Sequence, residues 1–317
     1  VEKRHPDLTA SYNNLSTIYQ NMDDLELALL YQQKAIGIQE EVLDKTHPDL
    51  ATSYNNLSLI YDAMGNLPLS LSYQQKAVAI YENVLDKYNP NLAVSYSNLS
   101  GIYQDMGNLE LALVYSLKDI AICEKVLDKT HPDLATSYSN LSKIYQAMDN
   151  LALALVYQQK TVAIREKASN THPQDLATSY SNLSQIYWVM RNLELALLYQ
   201  QKALTIREKV LSKNHLDLAA SYSNLSGIYQ NMGNLELALD YQQKSLAINE
   251  KILDKNDPDL AILYHNLSDI YCQIPNIEQA TFYINKAMRI LQQNFPNGHP
   301  NLTTALQTQQ RISDLLN

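Results

Sequence analysis

Apolar residues recur at helical spacing from the start of the chain. At about 100° per residue, Leu8, Tyr12, Leu15, Tyr19 and Met22 fall on one face. Ser16 lies beside them, small enough to let a second helix approach closely. The pattern predicts a helix, A, over about 6–21. Proline in its first turn and an acid near the positive end of its dipole both suit a helix start. The segment "MDD" marks a short turn. A second helix, B, is predicted over about 25–43. Its apolar face is broader and includes Leu25, Ala28, Leu29, Ala35, Ile36, Val42 and Leu43, a width that calls for contact on two sides.

This hairpin repeats with a period of 42 residues. "HPDL" at 5–8 returns at 47–50 and 131–134. Variants stand at 89–92, 172–176, 215–218, 257–260 and 299–302, and the extra Gln174 is balanced by a one-residue deletion just before it. Seven units result: 5–46, 47–88, 89–130, 131–172, 173–214, 215–256 and 257–298. Three columns beginning at Tyr12, Tyr19 and Tyr31 hold tyrosine in every unit and, with Tyr81 and Tyr88, account for all 23 tyrosines. Residues so tied to the period are packing residues first. The opening "VEKRHPDL" reads as the end of one repeat joined to the start of another, so further repeats are expected upstream.

One hairpin cannot bury both faces alone, whereas stacked hairpins can. In residues 299–317 the columns of Leu15, Ser16 and Tyr19 become Gln309, Gln310 and Ser313. Polar residues suit a face that no further repeat covers, so this segment is expected to form a C-terminal capping helix. The expected fold class is all-α, an α-solenoid of stacked helix-turn-helix hairpins.

Composition narrows the function. The formal net charge is −9, which argues against a nucleic-acid partner and disfavours anionic membranes. No apolar run approaches the ~18 residues of a membrane span. No signal peptide is evident, so a cytoplasmic location is expected. Cys123 and Cys272 occupy unrelated repeat positions, against a disulfide framework or a zinc site. Six of the seven histidines fall at or near repeat junctions and read as helix-start residues rather than metal ligands. Each "NLS" triplet matches a glycosylation sequon, yet its serine is expected to pack inside. No phosphate loop, nucleophile elbow or catalytic cluster is present, so neither enzymatic activity nor a cofactor or metal is expected.

The unit "LATSYNNLSLIYDAMGNLPLSLSYQQKAVAI" resembles a tetratricopeptide repeat. Leu57, Ser58 and Tyr61, the Gly65-Asn66 turn, Ser70 and Ala77 carry the resemblance. The longer period and the "HPDLA…YNNL" start are similar to the kinesin-light-chain subclass. The resemblance implies a right-handed superhelix that binds peptide segments in a concave groove lined by the first helices. It also implies that the recurring asparagine of helix A contacts ligand backbone. Two features depart from the family. Gln32, Gln74, Gln158, Gln200 and Gln242 stand where helix B usually carries a second aromatic, and the basic residues that bind acidic cargo are largely absent.

Asparagine is a poor interior helix residue, roughly 0.5–0.7 kcal/mol worse than alanine. Yet Asn14 returns as Asn56, Asn98, Asn140, Asn182, Asn224 and Asn266. Its amide offers a donor and an acceptor together, so a ladder of such residues suits the backbone of an extended peptide. The alternative is a bond to the adjacent repeat that fixes stacking. Selectivity would come from exceptions in the surrounding columns. Trp188 replaces the column of Gln104, Gln146 and Gln230, as an aromatic anchor or as a ring partly buried on its neighbour. Gly101 and Gly227 are expected to leave room for a bulky ligand side chain, and Asp62, Asp105 and Asp269 face only Lys143.

The expected function is a non-enzymatic protein-interaction scaffold that binds a peptide or protein segment, including one from its own parent protein, through the asparagine ladder. A homo-oligomer built on Leu27, Leu69, Leu111, Leu153, Leu195 and Leu237 is one alternative. The sensor arm of a larger effector enzyme is another.

Overall fold

Pro, Gly and Asn divide the chain into helices at the places where their backbone chemistry demands it. In the computed structural model, the described residues are 6–168, 171–296 and 298–316; they form fifteen helices and no strand. The first four pairs are α1 (Pro6–Asn21) with α2 (Leu25–Val42), α3 (Pro48–Ala63) with α4 (Leu67–Val84), α5 (Pro90–Asp105) with α6 (Leu109–Val126), and α7 (Pro132–Ala147) with α8 (Leu151–Lys167). Three more follow: α9 (Pro173–Val189) with α10 (Leu193–Val210), α11 (Leu216–Asn231) with α12 (Leu235–Ile252), and α13 (Pro258–Gln273) with α14 (Ile277–Asn294). A single helix, α15 (Pro300–Leu316), comes last. The chain divides into two compact units, one of residues 1–167 with α1–α8 and one of residues 168–317 with α9–α15. Within each unit consecutive hairpins stack, as an all-α solenoid requires.

Helix starts are capped by side chains. The ring Nδ1 of His47 accepts the Asp49 N–H at 3.2 Å, and His131 and His215 cap α7 and α11 in the same way. His172 makes no such bond, and His5 lies outside the described residues. At the turn, Asn66, Asn108, Asn192 and Asn234 each accept the N–H three residues on. The residue before each cap is left-handed. Gly65, Gly107 and Gly233 adopt φ of 72°, 76° and 78° there, and Asp23, Asp149 and Arg191 are held in the same region at some cost.

Each hairpin is closed from within by a serine and three tyrosines. Ser16 donates its hydroxyl to the carbonyl of Ala28 at 2.9 Å, and Ser58, Ser100, Ser142, Ser184, Ser226 and Ser268 repeat the bond at 2.6–2.8 Å. The sequence assigned this serine only a steric role; it is also a hydrogen-bond donor. Tyr19 stacks on Tyr31 at 5.4 Å with Tyr12 tilted against the same ring, and every hairpin contains this trio. The phenols then reach to neighbouring hairpins. Tyr54 donates to Glu40 and Tyr96 to Glu82, both at 2.7 Å, while Gln33 and Gln75 donate to Tyr61 and Tyr103. Burial and the carboxylate partner push such phenols upward, Tyr222 to about 12. Three positions of the predicted apolar faces lie outside: Met22 is 68 % exposed at the turn, Leu8 is exposed in the first turn of α1, and Val42 is exposed at the end of α2.

The helix-B glutamine is the main polar link between hairpins. Gln32 is fully buried, and its Nε2 donates both to Asn13 Oδ1 of its own hairpin at 3.0 Å and to the carbonyl of Ser53 on α3 at 3.2 Å. Gln74 repeats this with Asn55 and the Ser95 carbonyl, both at 3.0 Å. In the second unit Gln200 and Gln242 reach the carbonyls of Ser221 and Leu263 at 3.4 Å. An amide bridge thus replaces the second aromatic of the family pattern. The chain ends on a variant of the same solution. Ile284 takes the glutamine position, the His265 ring meets Thr308 Oγ1 of α15 at 2.9 Å, and Arg311 of α15 pairs with Asp269. Ala305, Thr308 and Ile312 of α15 are buried against the preceding hairpin, while Gln310 and Ser313 are exposed.

Two outcomes are expected. Gln74→Ala should destabilise the protein by about 2–4 kcal/mol, through a cavity and a lost bridge, whereas Gln74→Met should cost far less because it also removes a buried, unpaired acceptor oxygen. Urea unfolding of the two variants checks this. His265 is held below the usual imidazole pKa, first by burial, then by the Arg311 charge against the opposing Asp269. A depressed pKa favours the neutral ring, so its contribution is present above an unfolded-state pKa of about 6.5 and is lost on acidification. Hydrogen-exchange protection of α15, taken relative to the intrinsic rate at each pH, should therefore fall between about pH 7 and 5 in the wild type and much less in His265→Gln.

Candidate functional site

The odd-numbered helices present one face away from their partner helices, and adjacent copies of that face form the walls of small cavities. In the first unit a cavity of about 290 Å³ lies between α5 and α7, with α6 as its floor. Ser97 and Asn98 line one wall, Asp133, Thr136 and Ser137 the other, and Asp119 and Cys123 the floor. In the second unit a cavity of about 350 Å³ lies between α11 and α13 over α12, with Ser223 and Asn224 on the wall and Ser245 and Asn249 on the floor. These linings are the same repeat positions, three repeats apart.

One floor position varies in size between repeats. It holds Gln39, Tyr81, Cys123, Arg165, Arg207, Asn249 and Leu291 from repeat to repeat. Long side chains fill the gap and bond across it. Gln39 reaches the Asp49 carbonyl, and the Tyr81 hydroxyl meets Thr52 Oγ1 at 2.7 Å. Arg207 is 6 % exposed and donates from Nη1 to Ser221 Oγ, the Asp217 carbonyl and Ser181 Oγ. Cys123 and Asn249 are short. Asn249 folds back onto the Ser245 carbonyl of its own helix at 2.9 Å, and room remains above both.

The two open sites differ in charge. Asp119 is 3 % exposed, and its Oδ1 accepts the Cys123 thiol at 3.2 Å. Burial raises its pKa, the Cys123 and Ser137 bonds oppose this, and Asp133 adds to it. Among the described residues no lysine, arginine or histidine pairs with it. Burial, then the charge of Asp119, pushes the Cys123 thiol up to about 12, so it is an inert thiol rather than a nucleophile. The floor of the second site is neutral.

The asparagine column is divided in its contacts. Asn98 Nδ2 donates to Asn55 Oδ1 of the preceding hairpin at 3.0 Å, and Asn140 Nδ2 lies 3.5 Å from Ser97 Oγ. The His265–Thr308 contact occupies the same pair of columns. Asn56, Asn182 and Asn266 are half-buried and Asn14 and Asn224 exposed, with no side-chain hydrogen bond among the described residues. Gln104 and Gln146 are half-buried, Lys143 is exposed, and Gln230 donates to Asp269 at 2.7 Å. Two expectations change. The ring of Trp188 lies over Gly227, where a β-carbon would sit 3.8 Å from it, so that glycine's space belongs to the protein's own tryptophan. Asp269 is paired with Arg311 rather than unopposed. The floor residues Asp119, Cys123, Ser245 and Asn249 were missed at the level of sequence. The signal that could have found them was Asp119 itself, a carboxylate in a column otherwise filled by Ala35, Ala77, Thr161, Ala203, Ser245 and Ala287.

Stacked antiparallel hairpins with a walled, residue-variable groove define a helical-repeat protein of the interaction-scaffold type. Profiles described as tetratricopeptide repeat match residues 7–83, 63–116, 91–167, 176–217 and 217–293, and the chain belongs to that family. Tetratricopeptide repeats generally mediate protein–protein interaction, and such scaffolds are generally non-catalytic. No curated protein matches the sequence significantly. Among solved structures, kinesin-light-chain TPR-like repeats from Podosopora anserina align with a TM-score of 0.58 and 24 % identity over 66 % of this chain and 99 % of that one. BtubC (BKLC) from P. vanneervenii aligns at 0.63 and 21 % identity over 74 % and 94 %. A STAND signal-transduction ATPase with a tetratricopeptide repeat sensor, from Pyrococcus horikoshii, aligns at 0.70 and 19 % identity over 88 % of this chain and 41 % of that one. At these identities the likeness is one of fold. Among the described residues no helix is long and apolar enough to cross a membrane.

Proposed function

We propose that the chain is a non-catalytic scaffold that binds an extended polypeptide segment along the exposed face of its odd-numbered helices, with the asparagine column holding the ligand backbone. The observation that carries this reading is the recurrence of one cavity design in both units, each with a column asparagine on its wall. The column then serves two roles. Asn98 and Asn140 bond the preceding hairpin, while Asn182 and Asn224 keep an amide available to a peptide N–H and C=O. The partner is a protein or peptide segment, and its source includes the parent protein from which such an array senses. The sensor role named for the STAND protein supports that variant.

A second reading, self-association, has its own observation. Leu69, Leu111 and Leu153 on α4, α6 and α8 are 37–39 % exposed, with Val114 and Val156 exposed beside them. A monomeric mass by light scattering at high protein concentration removes it.

The main reading is tested by selecting peptides from a random decapeptide library on the full chain. Selected peptides should bind the wild type, and those that engage the second unit should lose at least about tenfold affinity for the Asn182→Ala/Asn224→Ala double variant, whose helicity and melting temperature stay unchanged. Asn98→Ala should instead lower stability by about 1 kcal/mol. Loss of fold in the double variant assigns the whole column to stacking.

A further inference from the structure

We propose that the cavity between α5 and α7 is a subsite for one basic side chain, lysine or arginine, of the bound peptide, with Asp119 as its charge partner. The inference rests on the groove reading above and specifies its chemistry.

Three observations carry it. First, the carboxylate of Asp119 lines the cavity floor, is 3 % exposed, and accepts its hydrogen bond from a neutral group, the Cys123 thiol, whose sulfur in turn accepts from the Ser137 hydroxyl. A buried carboxylate without a cation is costly, and its lining of an open cavity supplies the route by which a cation can reach it. Second, the scaffold does not need an acid there. Ala35, Ala77, Ala203 and Ala287 occupy the position in four other hairpins and are themselves buried to completion. Packing therefore selects a small residue, and the carboxylate is an addition to it.

Third, the cavity is shaped for a long amphipathic side chain. Val94 stands at 55 % exposure on one wall, with Val126 and Leu127 by the floor helix, apolar surface for the methylene stem. Ser97, Asn98, Thr136 and Ser137 add oxygen acceptors around the place where an ammonium or guanidinium would lie. Asp133, on the α7 wall, adds a second negative charge. A volume of about 290 Å³ holds one such side chain. The equivalent cavity in the second unit lacks the acid, with Ser245 and Asn249 on its floor, so the preference belongs to this site and not to the repeat in general.

The test uses the same random decapeptide library on the full chain, wild type and Asp119→Ala. The variant installs the residue that four other hairpins carry, and its circular dichroism and melting curve confirm the fold. Selected peptides that keep full affinity for the Asn182→Ala/Asn224→Ala variant, and so engage the first unit, should share a lysine or arginine at one fixed position. Replacing that residue by norleucine, or Asp119 by alanine, should each weaken binding at least about tenfold, and the two together should weaken it little further. First-unit peptides that bind with no shared basic position, or whose basic residue is indifferent to Asp119→Ala, overturn the subsite and leave the groove reading standing. Failure of the wild type to select any peptide overturns both.

Discussion

A buried amide holds successive hairpins in register. Helical carbonyls already bonded within their helix keep a second lone pair, and the Nε2 of Gln32 and Gln74 uses it on the next hairpin while gripping an asparagine on its own. Apolar contact alone is non-directional and would let one helix slide along another. A hydrogen bond to one particular carbonyl does not. The bond has a visible cost: the Oε1 atoms of Gln32, Gln74 and Gln200 are buried with no hydrogen-bond partner. That the position is nonetheless glutamine in five hairpins fits a role in specifying alignment rather than in adding stability.

Once alignment is fixed, most columns have no freedom left. The serine that bonds the helix-B carbonyl, the three tyrosines, and the caps at His47 or Asn66 are each tied to the hairpin or to its neighbour. The asparagine column sits at the border. Where the preceding hairpin offers Asn55 or Ser97, the amide turns back to it; in the second unit Arg207 takes Ser181 and Gln242 takes Ser223, and the asparagines there find no such partner. The same residue type therefore has different contacts according to what its neighbour has already bonded.

Much of this was legible from the pattern of residues. A period seen seven times locates helix ends to within a residue or so, and Pro, His, Gly and Asn mark caps and turns through local chemistry that needs no tertiary knowledge. What stayed hidden were contacts between residues about 20 to 43 positions apart. Gln32 looked like a missing aromatic because its partner, the Ser53 carbonyl, lies on the next hairpin. Trp188 and Gly227 looked like two separate groove features, although one covers the other. Asp269 looked unopposed because Arg311 stands a full repeat later. Periodicity gives each hairpin's own geometry; the offset between hairpins depends on packing and on individual side chains.

The same distinction bears on where specificity resides. A column whose residue is required by packing cannot also discriminate among ligands, because changing it changes the stack. The floor position of helix B escapes this constraint. Tyr81 and Arg207 fill the gap between neighbouring odd-numbered helices by bonding across it, and Cys123 and Asn249 leave it open, while the surrounding backbone keeps the same helix-pair design. Both cavities lie above a short side chain at this position, and they differ one turn earlier, where one has the carboxylate of Asp119 and the other the hydroxyl of Ser245. Two side chains per repeat thereby distinguish the cavities of otherwise near-identical hairpins, with the glutamine and asparagine columns supplying the common frame.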